Sequence, residues 1–256
     1  MISEGTVVVT GATRGIGRAT AEAILARGGK VVAIARDAEA LQMLAASSDT
    51  RIRTVAADLE DVARVPDVAK RAIDAFGSVD GLVNCAGIAC YEPVGAISLA
   101  SIEAQLRVNL VAPLLLSQAL AEHLGTRGGS IVNVSSTLAE RVARNTLVYA
   151  ASKAALNAMT KGLALELARF GVRVNAVLPG GVETDMLRDP RLRPGESLGE
   201  DELEARVAAH LEALAALHPM GRLGEPREVA AVIVAVLDQT WQTGSLVTID
   251  GGLSLA

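Results

Sequence analysis

Seven short apolar runs recur along the chain: TVVVT (6–10), KVVAIA (30–35), IRTVAAD (52–58), GLVNCA (81–86), SIVNVSS (130–136), VRVNAVLP (172–179) and SLVTID (245–250). Segments of helical length, rich in Ala, Leu and Glu, lie between them. Strict strand-then-helix alternation restricts such a chain to right-handed crossovers, and so to a parallel sheet with helices on both faces. Composition agrees. Half of the 256 residues are hydrophobic but only 2% are aromatic, so the apolar mass is aliphatic, as buried parallel strands require. No linker or compositional break divides the sequence. The expectation is one α/β domain over residues 1–256, a doubly wound, seven-stranded parallel sheet.

Several classes of function are disfavoured. The longest uninterrupted apolar run, 229–237, is far short of the roughly 20 residues of a membrane helix, so no membrane span is expected. The N-terminus enters a strand almost at once, leaving no room for a signal sequence, which points to the cytoplasm. Cys85 and Cys90 form no Cys-x-x-Cys pair and no histidines cluster near them, so they read as small buried hydrophobes, with no disulfide framework and no metal site. A net charge of -5 with interspersed signs argues against nucleic acid. The expected partner is a small molecule.

The first run joins a helical segment through TGATRGIG, with glycines at 11, 15 and 17. Residues without Cβ let the backbone turn tightly and approach a pyrophosphate, whose charge then rests on helix N-terminal amides. A dinucleotide site is therefore expected at Gly11, Gly15 and Gly17. The carboxylate that would grip a ribose 2'-hydroxyl should end the second strand. Ala35 stands there, Arg36 follows it, and Arg14 precedes the second glycine. Two guanidinium groups suit a 2'-phosphate, so the expected cofactor is NADP(H). Asp37, which might be read as a displaced ribose acid, is expected to pair with a nearby arginine.

Tyr149 and Lys153, four apart in VYAASKAAL, share one helical face. A neighbouring ammonium lowers a phenol's pKa, so the pair is expected to exchange a proton near neutrality. Ser136, ending the strand run thirteen residues earlier, supplies a hydroxyl that can polarise a carbonyl. Ser135 reads as a structural neighbour facing the other way. His123, His210 and His218 fall outside every motif and are expected to be surface or packing residues.

Taken in order, these motifs resemble those of the short-chain dehydrogenases/reductases over essentially the whole chain. TGATRGIG is similar to that family's Thr-Gly-x-x-x-Gly-x-Gly loop, NCAG (84–87) to its Asn-Asn-Ala-Gly motif, YAASK (149–153) to its Tyr-x-x-x-Lys pair, and PGGVET (179–184) to its carboxamide-holding stretch. The resemblance implies a Rossmann fold, hydride transfer between nicotinamide and a carbonyl or secondary alcohol, and a homotetramer. It implies that Thr13 and Ile16 join the loop contacts, that Asp58 and Leu59 border the adenine, and that Asn84, Ala86 and Gly87 lie near the ribose. Pro179, Gly180, Val182 and Thr184 would face the carboxamide. Asn109, in RVNLVAP, would complete a tetrad with Ser136, Tyr149 and Lys153, and Lys153 would also hold ribose hydroxyls. Cys85 departs from the usual second asparagine, which puts a local strand-bracing hydrogen bond in doubt.

The segment 186–222 opens with two prolines and a glycine and becomes an amphipathic helical pattern. In a doubly wound fold such an excursion reads as a substrate lid. Its Arg188, Arg191 and Arg193 could face an acidic carrier protein or a phosphate, or be solvated charge. The expected activity is that of a carbonyl reductase, with some resemblance to the dicarbonyl and xylulose reductase branch. A 3-oxoacyl carrier-protein reductase and a non-catalytic NADP(H)-binding redox sensor are the alternatives.

Overall fold

The computed structural model of the protein describes residues 5–46, 50–191 and 196–256. Strands β1 (Thr6–Thr10), β2 (Lys30–Ala35), β3 (Ile52–Ala56), β4 (Gly81–Asn84), β5 (Ser130–Val134), β6 (Arg173–Pro179) and β7 (Leu246–Ile249) form one sheet in the order β3-β2-β1-β4-β5-β6-β7. Every ladder is parallel. The chain winds outward from β1 to β3, then returns to the middle at β4 and winds to the other edge. That reversal beside β1 is where a doubly wound sheet opens a crevice at its strand C-termini. The runs ending at 58, 86, 136 and 250 outlast their strands by one or two residues, because there the chain has left its ladder partners and turns toward that crevice.

Side chains alternate across the sheet, and the two core layers follow from that. Val7, Val9, Val31 and Ala33 point to one face, against α1 (Gly15–Ala26), α2 (Ala38–Ala45) and α8 (Pro226–Asp238). Val8, Val32, Ile34 and Leu82 point to the other, against α3 (Val65–Asp74), α5 (Ala112–Gly125) and α6 (Leu147–Leu167). Both faces are covered, so every strand position of β1 is buried.

Helix α4 (Leu99–Leu106) runs through a π-helical turn, Arg107–Val111, into α5. The continuous stretch Leu99–Gly125 contains a segment of mean hydropathy 1.3 and is long and apolar enough to cross a membrane by length and composition alone, a property that core helices share. Its buried side is that of a layer helix: Leu116, Leu120 and Leu124 fill the core, while Gln105, Asn109 and Ser117 are buried with hydrogen-bond partners. Helix α7 (Glu200–Ala216) lies within the 186–222 excursion and buries none of its residues fully.

Candidate active site

A cavity of about 550 Å³ opens at the C-terminal ends of the strands. One end is built by the loop from β1 into α1. Gly11 and Gly15 lie at φ +66° and +52°, where a side chain is strained. A Cβ on Gly17 would come within 2.2 Å of the Gly11 carbonyl oxygen. The loop therefore closes tightly over the N-terminus of α1, leaving backbone amides and the positive end of the helix facing the cavity. Thr13, Arg14, Ile16, Arg36, Asp58 and Leu59 also line it. These features fit the diphosphate and adenosine of a dinucleotide.

No acid ends β2. Arg36 faces Asp58 at 4.0 Å, and Arg14 faces Asp185 at 3.6 Å, all four side chains being half exposed or more. Such exposed pairs are weakly held. Asp37 corrects the sequence reading. Its carboxylate accepts from the Ala40 N–H at 3.0 Å and caps α2, so its partner is a helix end and not an arginine.

The floor is made by the ends of β4 and β5 and the first turns of α6. Ala86, Gly87, Ser136, Tyr149 and Lys153 all reach it, and Pro179, Gly180, Val182 and Thr184 line it from beyond β6. Ser136 and Tyr149 are brought together as the thirteen-residue spacing implied, and the serine hydroxyl partly offsets the rise in the phenol's pKa. The Lys153 ammonium donates to the Val134 carbonyl at 2.8 Å. Burial drops its pKa to about 8.

The expected effect of Lys153 on Tyr149 is not what this geometry produces. Burial raises the phenol, with Tyr91 and Cys85 adding to the rise. The ammonium lies 5.7 Å from the centre of the tyrosine ring and is engaged by a carbonyl, so desolvation wins over attraction.

Two expected site residues stand behind the cavity wall and do not line it. Asn84 donates to Asn133 at 2.8 Å, and Asn133 donates to Thr160 at 2.9 Å, a buried chain that ties β4 to β5 and α6. The bracing hydrogen bond thought to be at risk from Cys85 is thus supplied elsewhere. At Cys85 itself, the backbone N–H meets the Thr10 hydroxyl at 3.0 Å, and burial pushes the thiol up to about 12. Asn109, fully buried in the π-helical turn, accepts from the Ile88 N–H and donates to the Ile88 carbonyl, both at 2.9 Å, and donates to Ser152 at 3.0 Å. It pins the 87–88 segment to α6 one residue from Lys153. Ser135 donates to the Lys153 carbonyl at 3.3 Å, a structural part, but it also lines the cavity beside Ser136, where it was expected to face the other way. Both cysteines are free and of intermediate exposure as whole residues, with Cys85 packed against the core.

The 186–222 segment walls the remaining side through Met186, Leu187, Arg191, Leu214, Leu217 and His218. Of the three arginines singled out there, Arg188 pairs with Glu183, Arg193 lies outside the described residues, and Arg191 enters the cavity. Tyr91 and His218 are site residues that no motif revealed. His218 is 3% exposed. Its Nδ1 lies 2.8 Å from the Leu214 carbonyl and so carries the proton, leaving Nε2 to accept from the Gly181 N–H at 3.0 Å. One ring therefore ties the end of α7 to the glycines after β6. The two partners are 37 residues apart in sequence, and no periodic rule connects them.

The family model described as "short chain dehydrogenase" matches residues 5–194. The chain is 35% identical over 250 residues to human L-xylulose reductase, covering 96% of this chain and 95% of that one. It is 33% identical over 248 residues to carbonyl reductase family member 4 of Xenopus tropicalis, covering 96% and 97%. Among solved structures, 3-ketoacyl-(acyl-carrier-protein) reductase from Brucella melitensis, complexed with NADH, superposes with a TM-score of 0.85 at 29% identity, covering 98% of this chain and 99% of that one.

Proposed function

From the premise that the chain belongs to the short-chain dehydrogenase family, and is thus an oxidoreductase working with a nicotinamide cofactor, we propose an NADP(H)-dependent carbonyl reductase that runs in reverse as a dehydrogenase of secondary alcohols. One observation carries this reading: Ser136, Tyr149 and Lys153 converge on the floor of a cavity whose far end is a glycine cradle flanked by Arg14 and Arg36, with no acid at residue 35. The preference for NADP(H) rests on those two arginines and on the capping role of Asp37.

When bound, the cofactor supplies or accepts the hydride. Ser136 would donate a hydrogen bond to the substrate carbonyl oxygen and so hold the carbon in line. Tyr149, whose phenol keeps its proton at neutral pH, would protonate that oxygen as negative charge develops on it. Lys153 would stand charged beside the ring, favouring the phenolate that remains. Asn109 would hold Lys153's surroundings in register through Ser152 and the 87–88 backbone. We place both cofactor and substrate in a single unit spanning the chain, with 186–222 over the substrate, and infer a cytoplasmic homo-oligomer, tetrameric by family resemblance.

Tyr149→Phe is expected to lower kcat by about a thousandfold while leaving NADPH affinity within about twofold, since general acid catalysis contributes roughly 10²–10⁴. Substantial residual turnover would remove Tyr149 from this role, and turnover by the wild type on diketones, ketoses or aryl ketones excludes a pure redox sensor. Ala35→Asp combined with Arg36→Ala is expected to shift preference toward NADH. Persistence of much tighter NADPH binding in that double variant would overturn the assignment.

A further inference from the structure

Charge along the cavity is unevenly matched. The acids that line it, Asp37, Asp58 and Asp185, are engaged by the Ala40 amide, Arg36 and Arg14. The two remaining lining guanidinium groups, Arg144 and Arg191, have no acidic partner among the described residues. They share one wall. The Arg191 guanidinium stacks 3.6 Å from the centre of the Tyr91 ring, and the next residue, Glu92, donates its N–H to the Asn145 carbonyl at 3.0 Å, which fixes the Arg144–Asn145 turn against the same segment. Tyr91 lines the same cavity as Ser136 and Tyr149, so this wall belongs to the pocket of the reacting centre.

Arg191 is held there by its backbone. It lies at φ +51°, in the left-handed region unusual for a long side chain, and its N–H donates to Asp189 Oδ1 at 2.9 Å. Asp189, two residues earlier, accepts from this backbone N–H and makes no ion pair with the guanidinium. The Arg191 Nε–H is buried and meets no acceptor. Its neighbour on α7, His210, likewise has a buried Nε2 without a partner. A guanidinium that lines the cavity and forms no ion pair among the described residues, while the lining acids Asp37, Asp58 and Asp185 are engaged elsewhere, offers charge and N–H donors to an oxyanion.

We propose that the substrate carries an anionic group, a carboxylate or a phosphate, which Arg191 receives with Arg144 beside it, so that the protein acts on oxo and hydroxy acids or their phosphorylated counterparts in preference to neutral carbonyls. The proposal rests on the carbonyl reductase reading and narrows it. Arg191 is then a specificity-determining residue: its stack on Tyr91 fixes the plane of the fork, and the fork fixes how far the acid group lies from the carbon between Ser136 and Tyr149.

The test compares matched pairs of NADPH-linked substrates, acetoacetate with methyl acetoacetate and dihydroxyacetone phosphate with dihydroxyacetone, on the wild type and on Arg191→Met. At least one anion is expected to exceed its neutral partner by about tenfold or more in kcat/KM, and the anion-to-neutral ratio is expected to fall about tenfold or more in Arg191→Met. Which pair responds separates carboxylate from phosphate. Neutral partners used as well as the anions, or a ratio unmoved by the substitution, would overturn the proposal. A second arm titrates butanoate and inorganic phosphate calorimetrically into the NADPH-loaded protein, so that the 2'-phosphate site is already filled. Binding that Arg191→Met weakens about tenfold supports the anion site even if no substrate of the panel turns over, a result that would count against the reductase reading alone. Failure of both probes to bind the wild type, or equal binding by the variant, overturns the anion site. A thermal midpoint of Arg191→Met within a few degrees of the wild type shows that the fold is kept.

Discussion

Burial holds the Lys153 ammonium near a pKa of about 8, well below an exposed lysine, because the floor of the cavity removes its water and gives back one carbonyl and no carboxylate. Between that value and the ordinary 10.5, the unfolded chain binds a proton that the native protein does not, so Lys153 makes the protein more stable as pH rises through this window; below it, the full penalty is present. Lys153→Met has no such proton. Its stability relative to wild type is expected to be greatest at pH 7 and to decline by an amount on the order of 3 kcal/mol by pH 10.5, measured by urea unfolding of both proteins. A difference independent of pH would show an ammonium that keeps its water. In the wild type, kcat/KM is expected to fall as pH rises through about 8, when the charge beside Tyr149 is lost. Asp37 offers a second residue-scale check. As a helix cap, its replacement by Ala should cost about 1 kcal/mol of stability and leave the NADPH-to-NADH preference unchanged; a changed preference would make it a ribose ligand after all.

Helix α6 shows how an element was legible while its neighbours were not. The i, i+4 spacing of Tyr149 and Lys153 is a property of any α-helix, so their shared face followed from sequence, as did Ser136 from the strand ending before them. The sign of the phenol's pKa shift did not follow, because it depends on how much water the surrounding elements exclude. Asn109 was placed by resemblance alone, and the π-helical turn around it is visible only once Ile88 and Ser152 are seen to take its amide. His218 joins two elements, α7 and the glycines after β6, and its role is one of positioning. His218→Ala is expected to destabilise the protein by about 2 kcal/mol, since the buried Gly181 N–H loses its acceptor, and to raise KM for NADPH more than it lowers kcat. Gln, whose amide oxygen can take the place of Nε2, should restore most of the affinity. Equal loss in both variants would mean that the ring only fills space.

At the scale of the whole molecule, apolar side chains remain on the surface where the described structure offers nothing to cover them. Leu165 is 81% exposed on α6, and Trp241 and Leu255, flanking β7, are 98% and 91% exposed. Together with the apolar α4–α5 stretch, of which only about a third is buried, they support the oligomer proposed above. Light scattering on the purified protein is expected to give about four times the 26.4 kDa of one chain, and a monomeric mass would overturn it. The sequence by itself determined the seven strands, their parallel pairing, the glycine cradle and the tyrosine–lysine face, because each is governed by local periodicity, by handedness or by spacing within one element. Only the tertiary structure decided that Asp37 caps a helix, that Asn84 and Asn109 brace the site from behind, that His218 joins the two sides of the cavity, and that Arg191 alone of the described lid arginines turns inward. Those outcomes depend on which distant segments meet and how much water they displace, and no local pattern along the chain encodes that.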